Sequence, residues 1–308
     1  MIVVTGATGN AGCEVVRALT ARGASVRAFV RDPEKARQKL GDEVELAIGD
    51  FADLGSVRAA FTAADEVFLS CADDPRRVGW ETAAIEAAAA AGVRQVVKLS
   101  VTTAEPGSPV AFWDWHGQVE QHLRASGIGW VILRSSWYMS NLLAVASQVA
   151  AEGRLYAPAG SARIAMIDPR DVGAAAAAVL SSTGHDRQTY ILTGPDAITY
   201  AQVAAELSAA TASSVEFIDV PDEAARQAMT GGGMPEFVAE QIVKTFARLR
   251  QGAGAQVTAT VEAITGSAPR DFASFAREHA RLFAPTAVAE SHERQDAVSA
   301  SHRSSGVR

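Results

Sequence analysis

The sequence has 308 residues, of which 48% are hydrophobic, and its formal net charge is −7 at pH 7. This length allows one large domain or a domain with a smaller lobe, and the acidic balance excludes a global basic surface for nucleic acid. Two cysteines exclude a disulfide framework and favour a reducing cytoplasm. We expect neither a signal peptide nor a membrane span, because the apolar runs are too short or too interrupted.

The first twelve residues predict a phosphate-binding loop. Ile2, Val3 and Val4 form an apolar run typical of a buried strand, and an amphipathic helix begins at about residue 11. Glycines spaced three apart between them permit a tight turn, close approach of phosphates and close packing of the helix on the strand. A plain strand–turn–helix with flexible glycines is the alternative. The predicted pyrophosphate contacts are Gly6, Thr8, Gly9, Asn10, Ala11 and Gly12.

Strand and helix signals then alternate up to residue 135. Predicted strands are 25–30, 44–48, 66–70, 93–99 and 129–133, and predicted helices are 33–40, 54–61, 78–91 and 110–125. This alternation predicts an α/β fold with a doubly wound parallel sheet, a Rossmann domain over residues 1–135. The ligand crevice then lies at the carboxyl ends of the strands, which adds Ser70, Cys71 and Ser100 to the predicted cofactor contacts.

The pattern changes beyond residue 135. Short strands are predicted at 154–156, 163–167, 189–192 and 215–220, and helices at 141–151, 171–180, 200–210, 222–229, 235–250 and 270–283. We expect a smaller, mixed α+β substrate-binding lobe over residues 136–285, with segments from about 160–195 returning to the sheet. Residues 286–308 are polar and serine-rich without periodicity, so we expect a disordered tail.

Arg31 bears on the choice of dinucleotide. It follows the second predicted strand, where the adenosine ribose of a bound dinucleotide lies. An arginine there suits the 2′-phosphate of NADP, whereas an acid would suit the free hydroxyl of NAD. The alternative is a solvated helix start, with Asp32 and Pro33 as its first residues. We predict NADP(H) as the cofactor.

Several segments together resemble the NmrA-like family of atypical short-chain dehydrogenases over roughly residues 1–283. They are GATGNAG, VRDPEKA, GDFADLGSV, VKLSV, HGQVEQHLRASGIGWVILRSSWYMSNL, IDPRDVGAAAAAVL and ITGSAPRDF. The resemblance implies that Asp50 and Phe51 hold the adenine. It also implies one of three activities: reduction of quinones or aromatic compounds with NADPH, tailoring or joining of aromatic polyketides, or redox sensing without turnover.

The helix at 110–125 departs from related dehydrogenases, which carry Tyr-x-x-x-Lys there. Aligned on Glu120, this sequence has Phe112 at the tyrosine position and His116 at the lysine position. Phenylalanine cannot protonate an alkoxide, so an isolated ketone is a poor substrate. A quinone yields a phenolate, which is stable near neutrality because the pKa of phenol is about 10. His116 could bind the ribose or act as an acid, or it could be structural.

Aromatic side chains cluster near the predicted strand ends. Trp113, Trp137 and Tyr138, with the hydroxyl of Thr102, are the predicted substrate contacts, although the rings could simply pack the lobe on the sheet. His116 and Tyr138 are the predicted catalytic residues. No residue spacing indicates a metal site. We expect a cytoplasmic monomer or homodimer that binds a small aromatic substrate and neither nucleic acid nor membrane.

These patterns predict NADPH-dependent reductive tailoring of a quinone-like or polycyclic aromatic compound, including aromatic polyketides of antibiotic biosynthesis. Two alternatives remain open. One is coupling of two aromatic units in the same cleft, with the cofactor supplying electrons or only structure. The other is a non-catalytic protein that reports the NADP state to a partner, for which the missing tyrosine and lysine are the best support.

Overall fold

The computed structural model describes residues 1–285; the tail predicted at 286–308 lies outside the described residues. Seven parallel strands form one sheet in the order β3-β2-β1-β4-β5-β6-β8. Their bounds are β1 Ile2–Val4, β2 Val26–Val30, β3 Glu45–Ile48, β4 Glu66–Leu69, β5 Gln95–Val101, β6 Gly129–Ser135 and β8 Gln188–Leu192. The order reverses between β1 and β4, which opens a crevice at the carboxyl ends of these two strands.

Helices cover both faces of this sheet, so the predicted α/β class and doubly wound parallel sheet are confirmed. One face packs on α1 Asn10–Ala21, α2 Pro33–Leu40 and α7 Pro169–Leu180. The other face packs on α3 Leu54–Phe61, α4 Arg77–Ala90 and α5 Ala111–Ala125. The central strands are apolar on both sides because helices bury both faces.

A second sheet belongs to the later part of the chain. It consists of the parallel strands β7 Arg154–Ala157 and β9 Glu216–Asp219. Around it lie α6 Ala146–Glu152, α8 Tyr200–Thr211, α9 Asp222–Gly231, α10 Glu236–Leu249, α12 Phe272–Glu278 and α13 Ala280–Phe283. Buried side chains of these elements, including Leu155, Val203 and Phe275, form their own apolar core.

Three local predictions in this region differ from the structure, and one helix was missed. Residues 163–167 form no strand, because Ile164 bridges Ile198 whereas Ile167 bridges Tyr138, and the two bridges run in opposite senses. The helix predicted at 141–151 starts as a 3₁₀ segment, Met139–Val145, before α6. The helix predicted at 270–283 starts later, where Asp271 caps the Ser274 N–H, and is divided at His279. A short helix that was not predicted, α11 Thr260–Thr265, packs on α7.

Close packing of α7 on α1 fixes the helix that follows the glycine loop. A Cβ on Gly173 would lie 2.6 Å from the backbone carbonyl carbon of Glu14. Only glycine therefore lets the two helices approach this far. The start of α1 is thereby held against the sheet edge, where the crevice opens.

Candidate active site

A cleft of about 650 Å³ lies at the carboxyl ends of the sheet strands, between the sheet and the later helices. Thr245 and Leu249 of α10 line it from the lobe side. The cleft brings together every residue that the sequence nominated: Gly6, Thr8, Gly9, Asn10, Ala11, Gly12, Arg31, Asp50, Phe51, Ser70, Cys71, Ser100, Thr102, Trp113, His116, Trp137 and Tyr138. Side chains from both parts of the chain thus face one elongated space.

The glycine loop has the geometry that close packing on a phosphate requires. Gly6 has φ +61°, a left-handed conformation that favours glycine. A Cβ on Gly12 would lie 2.1 Å from the Gly6 carbonyl oxygen, so α1 touches the loop backbone there. Gly9 caps α1 without a side-chain acceptor, which leaves N–H groups at the helix start free for an anion.

Basic side chains surround the end of the cleft where the sequence places the adenosine. The Arg31 side chain is 77% exposed, and its Nε lies 3.9 Å from the Asp50 carboxylate. Lys35, in the first turns of α2, also lines the cleft, and the sequence analysis did not nominate it. Lys39 donates to the Thr8 carbonyl oxygen at 2.8 Å and holds the glycine loop. The residues present therefore fit a phosphorylated adenosine ribose.

Ser100, near the end of β5, forms a hydrogen bond within the protein. Its hydroxyl group donates to Glu120 Oε1 at 2.6 Å. Glu120 also accepts two hydrogen bonds from Arg134, from Nε at 2.9 Å and from Nη2 at 2.7 Å. Arg124 Nη1 lies 3.0 Å from Glu120 Oε2. The buried Glu120 carboxylate is thus paired on both oxygens and holds β5, α5 and β6 together.

His116 is 5% exposed where it lines the cleft, and it is not a free surface imidazole. Its Nδ1 lies 3.4 Å from Nζ of Lys98, which is fully buried. Burial and the nearby cations Arg77, Lys98 and Arg134 lower the pKa of His116 well below 6.5. The ring is therefore neutral at physiological pH, which does not favour the role of an acid that the sequence left open.

Lys98 and its partners were missed by the sequence reasoning. The signal was a lysine inside the apolar run of β5, which a buried strand does not tolerate without a partner. The partner is Glu81 on α4, whose carboxylate also accepts from Arg77 Nε at 3.0 Å. Glu81 lies in the helix that precedes β5, too far from Lys98 in sequence for a local pattern to connect the two residues.

Two further side chains near the middle of the cleft keep their protons. Burial raises the pKa of the Tyr138 phenol, whose oxygen lies 3.3 Å from Ser135 Oγ. Burial and the negative charge of Glu81 raise the pKa of the Cys71 thiol to about 12. A neutral thiol is a weak nucleophile, so Cys71 contributes a small apolar surface here. Tyr138 remains a hydrogen-bond donor.

An aromatic cluster, formed by Phe112, Trp115 and Phe237 and named the aromatic rim, adjoins the cleft through Phe112. Phe112 lines the cleft and packs edge-on against Trp115 at 5.6 Å between ring centroids. Phe237 of α10 stacks on Trp115 at 5.8 Å, so the cluster connects α5 with the lobe. Trp137, which also lines the cleft, packs against Phe246 at 5.6 Å between ring centroids. Phe112 and Trp137 thus give the cleft flat apolar surfaces.

Residues 1–285 have neither a metal site nor a membrane-spanning helix. No group of three or more histidine, cysteine or acidic side chains there is arranged to hold a metal ion. Within the same residues, no helix is both long and apolar enough to cross a membrane.

Known proteins resemble this chain over nearly its whole length. An NAD(P)H azoreductase of Xenophilus azovorans is 38% identical over 283 residues, which is 92% of this chain and 99% of the relative. A (4-alkanoyl-5-oxo-2,5-dihydrofuran-3-yl)methyl phosphate reductase of Streptomyces griseus is 39% identical over 286 residues, 92% of this chain and 100% of that protein.

A solved structure also resembles this chain over most of its length. An NADPH-dependent quinone oxidoreductase of Escherichia coli, complexed with NADPH, superposes with a TM-score of 0.83 at 29% identity, covering 90% of this chain and 99% of that one. The model of the NmrA-like family matches residues 1–273. The chain therefore belongs to the NmrA-like family, as its sequence motifs indicated.

Proposed function

We propose that the protein is an NADPH-dependent reductase of quinone-like and polycyclic aromatic compounds. The observation that carries this proposal is the continuity of the cleft. One space joins the glycine loop and its basic adenosine end to an aromatic rim where Phe112 replaces the usual proton-donating tyrosine. The two relatives described above are named as reductases, and the structural neighbour as a quinone oxidoreductase.

NADPH, when bound, supplies a hydride to the acceptor. The chain's own residues then have three tasks. The free N–H groups at the start of α1 bind the pyrophosphate, and Arg31 with Lys35 binds the ribose 2′-phosphate. Trp113, Trp137 and Phe112 bind the face of a planar acceptor and exclude water from it.

The choice of acceptor follows from which proton donors the cleft has. Phe112 offers none, and the pKa of His116 is too low for it to be an imidazolium near pH 7. Tyr138 keeps its proton, and because burial raises its pKa it is a hydrogen-bond donor but a weaker acid than a free phenol. An acceptor whose reduced form is a phenolate needs no strong acid, because water protonates it. Quinones and extended conjugated carbonyl compounds meet this condition, whereas an isolated ketone does not.

The aromatic rim favours acceptors with several fused rings, such as aromatic polyketides of antibiotic biosynthesis. We place the protein in the cytoplasm as a monomer or homodimer, in keeping with its two free cysteines. Coupling of two aromatic units in the same cleft is the second reaction to consider, since Phe112 and Trp137 both line the cleft and belong to different aromatic clusters.

The mass of the product distinguishes these reactions. The purified protein is incubated with NADPH and a polycyclic naphthoquinone under anaerobic conditions, and the products are analysed by mass spectrometry. A gain of two hydrogens supports reduction, and a doubled mass supports coupling. Cofactor binding without any new product would contradict both and favour a sensor.

A further inference from the structure

A charged network lies directly beneath the cleft, between β5, α4 and α5. Side chains alternate along a strand, so Val96, Lys98 and Ser100 of β5 share the face that packs on these helices. Ser100 is bonded to Glu120, and Lys98 is the residue before it on this face. The Lys98 side chain has no exposed surface, which is costly for a charge unless it is well paired.

Three polar atoms surround the Lys98 ammonium group. It forms an ion pair with Glu81 Oε1 at 3.1 Å, although that contact is not aligned as a hydrogen bond. It donates to the carbonyl oxygen of Leu99. Its third neighbour is His116 Nδ1, at 3.4 Å. Burial lowers the pKa of Lys98 to about 8, against the opposing effect of Glu81, so the group is mostly protonated at pH 7.

This arrangement determines which nitrogen of His116 carries the proton. An ammonium group is only a donor, so Nδ1 of His116 must be an acceptor. A neutral imidazole has one acceptor and one donor, and the proton therefore resides on Nε2. His116 lines the same cleft as Ser135 and Tyr138.

We propose that Lys98 is a positioning residue that holds His116 in the Nε2–H tautomer, so that His116 donates a hydrogen bond to the oxygen of the bound acceptor. This inference rests on the proposed reductase function. Hydride transfer adds one proton and two electrons to the acceptor and leaves a negative charge on its oxygen. The Nε2–H group stabilises that charge, and water supplies the proton that completes the hydroquinone. His116 itself neither gains nor loses a proton.

Every charged group that faces His116 is consistent with this tautomer. Arg77 and Glu81 approach from α4, and Glu81 is shared between Arg77 and Lys98. Glu120 lies one turn along α5, and Arg134 approaches from β6 and occupies both oxygens of Glu120. Within residues 1–285, no carboxylate forms a hydrogen bond or ion pair with His116 Nδ1 that would favour a proton there.

Nitrogen-15 NMR of the full chain, labelled at histidine, tests the tautomer without any variant. We expect His116 to show a protonated Nε2 and an unprotonated Nδ1, and not to titrate between about pH 6 and pH 8. The reverse tautomer, or titration near the ordinary value of about 6.5, would overturn the proposal. Because this measurement needs no substrate, its failure is separate from a failure of the reductase assay.

Lys98→Met tests the consequence for catalysis. Arg77 remains to pair Glu81 in this variant, and Lys244→Met on the exposed face of α10 is the matched control. We expect kcat for a naphthoquinone to fall about tenfold, with the Kd for NADPH unchanged, and the histidine spectrum to show mixed tautomers. In a His116→Gln background the same substitution has no further effect on kcat. An equal additional loss there would show that Lys98 does not act through His116.

Discussion

At the scale of single residues, Gly12 is where the glycine loop has the least space. A Cβ would overlap the Gly6 carbonyl oxygen, so Gly12→Ala must push α1 away from the loop. We expect the Kd for NADPH to rise at least tenfold, which is about 1.4 kcal/mol. Gly79→Ala is the control, because a Cβ there meets open space and the helix gains about 0.5–1 kcal/mol. Calorimetric titration of both variants measures the difference; equal affinities would refute the close contact.

Arg31 is expected to choose the phosphorylated dinucleotide. Its side chain is exposed at the cleft and only weakly paired with Asp50. A charge-assisted hydrogen bond is worth about 1.5–3 kcal/mol, so Arg31→Ser should raise KM for NADPH roughly tenfold or more and leave KM for NADH unchanged. Arg22→Ser, at the far end of α1, should change neither constant. A parallel rise in both KM values would show that Arg31 does not read the 2′-phosphate.

Phe112 tests the aromatic rim. An aromatic pair contributes about 0.5–1.5 kcal/mol beyond its buried area, so Phe112→Leu should raise KM for a polycyclic quinone about two- to tenfold. KM for a single-ring benzoquinone should change less, because a small acceptor does not reach the rim. Phe217→Leu removes a half-buried ring of β9 instead and is the matched control. Equal effects on both quinones would argue against stacking at this position.

At the scale of elements, one buried side chain connects α10 to α5. Gln241 of α10 accepts a hydrogen bond from the Ala111 N–H, at the start of α5, at 2.7 Å. Gln241→Leu leaves that N–H without its acceptor and should lower the free energy of unfolding by about 1–2 kcal/mol, as measured by urea denaturation. Gln118→Ala, exposed on α5, should be nearly neutral. KM for the quinone should rise in the first variant only; an unchanged KM would mean that this contact does not position α5.

Local sequence patterns predicted some elements of the fold and missed contacts between residues that are distant in sequence. Apolar runs and glycines predicted the order of strands and helices through β6 because each signal is local. Residues 163–167 were mistaken for a strand because their partners, near Ile198 and Trp137, are distant in sequence. The Lys98–Glu81 pair was invisible for the same reason, whereas the loop glycines and Arg31 were found because their spacing after a strand has a local physical cause.

At the scale of the whole molecule, the cleft depends on both parts of the chain. The sheet contributes the glycine loop and the basic adenosine end, and α10 contributes Thr245 and Leu249. Hydride transfer requires that a cofactor on the sheet side and an acceptor under the lobe meet in one space. The central claim is that this space reduces quinones and not isolated ketones.

The most direct test is the steady-state rate of NADPH oxidation by the purified protein, followed by nicotinamide absorbance. A naphthoquinone and a saturated cyclic ketone of similar size are compared at equal concentrations. We predict saturable oxidation of NADPH with the quinone and none with the ketone, because Phe112 has no proton to give, His116 is neutral, and burial makes Tyr138 a weaker acid than a free phenol. Equal turnover of both would contradict the account, and so would tight NADPH binding with no oxidation by any quinone.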